Sequence, residues 1–107
     1  MLSTPAIAAC NGGTEASGFC ISRIQLNWWS AANWCKANGM HLATIYEVCP
    51  DWNGNTGSGK CGRTFSLKGN GRVATTRGSI YAFYVDPSEG EVGFSVKSGN
   101  NPALCAN

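Results

Sequence analysis

An α+β domain with small antiparallel sheets, closed by disulfides, is what this sequence predicts, and three observations predict it. Helical patterning is confined to residues 27–50, whereas the last third of the chain alternates as strands do; that segregation favours α+β over a wound α/β fold. Leu, Ile, Val and Phe make up only 19 of the 107 residues, so the core is lean and calls for reinforcement. Six cysteines, at 10, 20, 35, 49, 61 and 105, supply it as an even set of disulfide formers in a short chain.

The elements follow in order within a single domain, 1–107. Residues 1–9 read as an N-terminal tail; Ala6-Ile7-Ala8 has the form of a small-residue cleavage site, although no basic segment precedes it. Residues 11–18, with Gly12, Gly13 and Gly18, read as turn chemistry. Residues 19–25 predict a strand, with Phe19, Ile21 and Arg23 on one face and Cys20 and Ile24 on the other. Asn27 then suits an N-cap. Trp28, Ala31, Ala32 and Cys35 recur at helical spacing, and Gly39 suits the helix end. Residues 40–43 are extended. Thr44 and Glu47 have capping-box spacing, and Pro50 keeps the second helix short.

Residues 51–70 carry no hydrophobic period and form one long irregular loop, bracketed in its first half by Cys49 and Cys61. Residues 72–76, 79–85, 91–97 and 102–105 predict strands, with a hairpin turn at 86–90 and a second turn at 98–101.

Zinc is the rival use of the cysteines. Zinc ligands come in close pairs, whereas here neighbouring cysteines are ten or more residues apart and His41 is the one histidine. Disulfides imply an oxidising compartment, so the chain is expected to be secreted or at the cell surface. Six cysteines allow about 15 pairings, and spacing does not choose among them.

The helix Trp28-Trp29-Ser30-Ala31-Ala32-Asn33-Trp34-Cys35 resembles the W-x-x-A-x-x-x-C of C-type-lectin-like domains. Gly39-Met40-His41-Leu42-Ala43-Thr44-Ile45 resembles the G-x-x-L-A-x-I that follows it there. Leu104-Cys105 is similar to the last strand of that superfamily, and Tyr81-Ala82-Phe83, Val85, Gly90 and Val92 are similar to its short bacterial members. The resemblance spans residues 10–105. It implies Cys10–Cys20, in an N-terminal hairpin, and Cys35–Cys105, which leaves Cys49 for Cys61.

The calcium-dependent sugar binders of that superfamily carry E-P-N or Q-P-D and W-N-D triplets, which are absent here, as is the W-I-G-L core motif. Asp86-Pro87-Ser88 keeps only the proline. Asp51, Asn53 and Asn55 alternate as in an acidic calcium loop, but Thr56 and Gly62 stand where an EF-hand requires Gly and Glu. Calcium-independent binding without a metal or cofactor is therefore expected.

A catalytic role finds little support. His41 between Met40 and Leu42 reads as structural or surface, Glu89 and Glu91 as turn carboxylates, and Gly69-Asn70-Gly71 lacks the lysine of a phosphate loop. A net charge of +2 gives no case for nucleic acid, and no apolar run is long enough to span a membrane.

The loop offers Trp52, Asn53, Asn55, Arg63, Asn70 and Arg72 as ligand-binding candidates, an aromatic face with amides and cations. Trp52 has an alternative use as the plug that seats the loop on the body. The expected function is recognition or adhesion without catalysis, with a glycan or cell-surface protein as partner. A structural unit of a surface or pilus-type filament, self-assembling with a larger structure, is the second expectation.

Overall fold

The computed structural model describes residues 10–52 and 59–107. Its elements are β1 (Gly13–Ala16), β2 (Phe19–Leu26), α1 (Trp28–Ala37), β3 (His41–Leu42), α2 (Ile45–Val48), β4 (Gly59–Lys60), β5 (Gly71–Arg77), β6 (Tyr81–Asp86), β7 (Glu91–Val96) and β8 (Asn101–Ala106). The domain is α+β, with two short helices and a mixed sheet.

Both helices start as their local chemistry dictates. The Asn27 side chain accepts from the Ser30 N–H at 2.8 Å, and Ala31 and Cys35 of the apolar stripe are buried. Gly39 turns the chain away at φ 73°. At α2 the box closes in both directions: the Thr44 N–H donates to Glu47 Oε1 at 2.8 Å, and the Glu47 N–H donates to the Thr44 hydroxyl at 3.2 Å. His41 Nε2 lies 2.8 Å from the same carboxylate. Partial burial alone would raise the Glu47 pKa, but the Thr44 N–H and His41 outweigh it and hold the carboxyl below its ordinary range.

The strands run in the order β1-β2-β8-β5-β6-β7-β4, with β3 also on β8. Two expectations are corrected here. Residues 11–18 are not all turn: Gly13–Ala16 is a strand laid antiparallel on β2, and the reversal is confined to Ser17 (φ 54°) and Gly18 (φ 83°). Nor is the sheet purely antiparallel, since β5 and β8 run parallel and register Arg72 against Ala103. The meander β5-β6-β7 restores the direction of β5. The link after β7 then carries the chain across the meander instead of folding it back as a hairpin.

β2 and β8 are buried on both faces. Phe19, Ile21, Leu104 and Ala106 point into the larger core with Ile45, Trp52, Leu67, Val73, Phe83 and Val85. The alternate residues Cys20, Ala103 and Cys105 point into a smaller one with Ala31, Cys35, Met40 and Leu42. Arg23, expected beside Phe19 and Ile21, is exposed, because β2 departs from regular pairing between Ile21 and Gln25. Ser22 fills that gap: its hydroxyl donates to the Ile24 carbonyl at 2.6 Å and accepts from the Ala103 N–H at 2.8 Å. Gly71 is required by close approach, since a Cβ there would lie 2.8 Å from Leu104 Cβ.

Three disulfides close the domain: Cys10–Cys20 between the chain before β1 and β2, Cys35–Cys105 from α1 to β8, and Cys49–Cys61 from the end of α2 to the residue after β4. Such bonds suit an oxidising, extracellular environment. No helix among the described residues is long and apolar enough to cross a membrane.

The largest fully buried side chain is Arg72. Its Nη1 donates to the carbonyls of Gly99 (2.9 Å) and Lys97 (3.0 Å), and its Nη2 to those of Val96 (3.0 Å) and the Asn101 side chain (3.0 Å). Ser95 Oγ accepts a further bond at 3.2 Å. Burial lowers the Arg72 pKa from its ordinary value, yet a guanidinium starts high enough to stay charged. The link between β7 and β8 is thus wrapped around a cation, and its carbonyls replace the water the cation has lost.

Replacing Arg72 with Met should cost on the order of 3 kcal/mol, because several buried carbonyls lose their donor at once. Arg72→Lys should recover only part, having no planar fork. Urea denaturation checks this; a Met variant within about 0.5 kcal/mol of the native protein would contradict it.

Candidate functional site

An open cleft of about 640 Å³ lies between the β1–β2 hairpin, the segment after β4 and the β6–β7 turn, lined by Thr14, Ile21, Thr64, Phe65, Ser66, Lys68 and Ser88. Its volume is in the range of small-molecule sites. Thr14 and Ile21 are direct partners across β1 and β2, so their side chains stand on the same face. The other wall comes from residues 63–68, in which alternate side chains have opposite tasks. Arg63, Phe65 and Leu67 anchor the segment, whereas Thr64, Ser66 and Lys68 are exposed.

Each anchor is explicit. Cys61 is bonded to Cys49, and its N–H donates to the Gly90 carbonyl. The Arg63 guanidinium donates to the Val48 carbonyl at 3.0 Å and the Glu47 carbonyl at 2.9 Å, two groups that a four-residue helix leaves open at its end. The same guanidinium lies 5.7 Å from the Phe19 ring centroid and 5.5 Å from that of Phe65. Phe65 stacks on Phe19 at 5.2 Å, and its N–H donates to the Pro87 carbonyl at 2.9 Å. Leu67 is buried in the larger core. The segment has no regular secondary structure but is held at four successive points.

Ser88 completes the cleft from the turn. Its hydroxyl donates to Asp86 Oδ1 at 2.7 Å, and its N–H reaches the same oxygen at 3.1 Å. With its proton committed to Asp86, the Ser88 oxygen faces a ligand as an acceptor.

The candidates nominated from sequence do not converge. Trp52 is buried edge-on against Phe83 at 5.9 Å and serves as the plug. Arg72 is wholly internal and is corrected from ligand group to core cation; its charge type pointed to the surface, and the carbonyls that enclose it come from distant residues. Arg63 is exposed, and two of its five donors are taken by the end of α2. Asn70 is exposed just before β5. Asn53 and Asn55 lie outside the described residues. His41 is at the surface beside Glu47. Among the described residues no three His, Cys, Asp or Glu side chains gather as they would around a metal ion.

The long loop does supply the site, through Thr64, Ser66 and Lys68, which were passed over. The alternation in Arg63-Thr64-Phe65-Ser66-Leu67-Lys68 was the available signal. Neither a protein-family model, nor a curated protein, nor a solved structure matches the chain.

Arg63→Ala should loosen this wall without unfolding the domain. The Phe65 amide is expected to exchange with solvent at least tenfold faster, with the melting temperature lowered by only a few degrees. Unchanged protection of that amide would show that Arg63 does not hold the segment.

Proposed function

We propose that this domain is a non-catalytic recognition module, secreted or at the cell surface, of C-type-lectin-like kind, which binds a glycan without calcium. The observation that carries the reading is the pinned 63–68 segment. Ordering a loop on binding costs affinity, and here the loop is ordered before a ligand arrives. Thr14, Thr64 and Ser66 offer hydroxyls that both donate and accept, which matches the polar edge of a sugar; half-buried Phe65 offers an apolar surface for its C–H face. No metal or cofactor takes part in this scheme.

A second reading rests on a different observation. Tyr81 and Val96 are cross-strand partners, both exposed, and Ile80 beside them is 60 % exposed. An apolar group of this kind at the end of the β6–β7 hairpin suits packing between copies or against a protein partner, as in a surface or pilus-type assembly.

A glycan array probed with the labelled domain separates the two. Binding to a defined glycan set, weakened tenfold or more by Thr64→Ala with Ser66→Ala at an unchanged melting temperature, is the expected result. Binding that survives the double substitution would contradict the site. An array without signal, with self-association in sedimentation that Tyr81→Ser abolishes, would transfer the assignment to the second reading.

A further inference from the structure

The cleft is chemically polarised. Among the described residues Lys68 is the one charged group that lines it, no carboxylate does, and Lys68 has no acidic partner. Two of the nearby acids are turned away or engaged, and exposed Glu89, next to Ser88, is not among the lining residues. Glu15 sits opposite Cys20 in the β1–β2 register and therefore on the other face from Thr14 and Ile21. Asp86 is held by the N–H and hydroxyl of Ser88. Among the described residues the neighbouring cation that could compete is Arg63, which is bound to the end of α2 through two of its N–H groups and packed on Phe19 and Phe65.

At the turn side the requirement is reversed. Ser88, whose hydroxyl donates a hydrogen bond to Asp86, presents lone pairs, so it accepts from a hydroxyl and repels an anion. A ligand that satisfies the whole cleft brings a negative charge to Lys68, a hydroxyl donor to Ser88, further hydroxyls to Thr14, Thr64 and Ser66, and a C–H face to Phe65. An inorganic anion meets only the first of these demands, and a neutral sugar leaves the first unmet.

We propose that the cleft selects an acidic saccharide, a sugar that carries a carboxylate along with its hydroxyls, such as a hexuronic acid unit, with Lys68 reading the charge and Ser88 reading a hydroxyl. This rests on the glycan-binding reading above and narrows it to a substrate class. Lys68 is exposed, so its attraction for a carboxylate is screened by salt, and the preference for the acid should shrink as ionic strength rises.

The test is calorimetric titration of the intact domain with a trigalacturonate and with the neutral galactose trisaccharide of the same linkage, at low and at 0.5 M added salt. The acidic trisaccharide is expected to bind about tenfold more tightly at low salt, roughly 1.4 kcal/mol, with most of that margin lost at high salt. Lys68→Met should erase the margin, so that the acidic and the neutral trisaccharide bind equally at low salt. Ser88→Ala should weaken both sugars alike. Equal affinity of the native domain for the two trisaccharides, or a margin that survives Lys68→Met, would overturn acidic selectivity while the glycan reading stands. Binding of neither trisaccharide by a domain that keeps its native melting temperature would overturn both. Inorganic sulfate serves as control: competition by sulfate as effective as by trigalacturonate would show a simple anion site and refute the saccharide requirement.

Discussion

The bond between Cys35 and Cys105 is the constraint on which the rest of this fold depends. β8 is the strand at which the two parts of the sheet meet: β2 lies along one edge, and β3 and β5 share the other, β5 running parallel. α1 covers the same strand, and the disulfide fixes the helix to it across 70 residues of sequence. On the chain-entropy account a loop of that length is worth about 4 kcal/mol, comparable with the whole net stability of many small domains. A chain with so few large aliphatic residues needs that contribution. The bond also decides geometry, because it sets which face of α1 meets the sheet and so where the chain leaves for Thr44 and α2.

Arg72 does on the inside of the sheet what the disulfide does across the helix. It stands at the β5–β8 contact and gathers carbonyls from the end of β7 and the following link. Its Nε is buried without a partner among the described residues, so the enclosure is nearly but not wholly satisfied. An apolar residue of similar length would fill the volume and leave the carbonyls orphaned. A cation there couples the last strand to the meander through charge-assisted bonds, and β8 is thereby held from both sides.

Local chemistry was legible in the sequence, and distant chemistry was not. The Trp28, Ala31, Ala32, Cys35 stripe and the Thr44–Glu47 box each concern residues within two helical turns, and both elements stand where the residues place them. β1 was hidden because Gly13, Glu15 and Ala16 give so short a segment little strand propensity; its pairing comes from β2 and the Cys10–Cys20 bond. The parallel β5–β8 contact was hidden for a similar reason, since no short segment reveals where a link will cross. Arg72 is a surface candidate by residue type, yet it is internal because remote partners enclose it, while Trp52 takes the plug role that was its alternative. Conversely Thr64, Ser66 and Lys68 look like ordinary loop residues until Arg63, Phe65 and Leu67 are seen to be pinned beneath them.

The cleft inherits its order from this framework. Phe19 and Ile21 are fixed by the β2–β8 pairing, Phe65 stacks on Phe19, and Cys61 is tied to the end of α2, so the walls of the cleft are in place only if β8 is. The most direct measurement is therefore peptide mapping of the natively produced, unreduced domain by mass spectrometry. The account predicts a fragment pair joining Cys35 to Cys105 and no alkylatable thiol; Cys35 found free, or joined to any other cysteine, would contradict it.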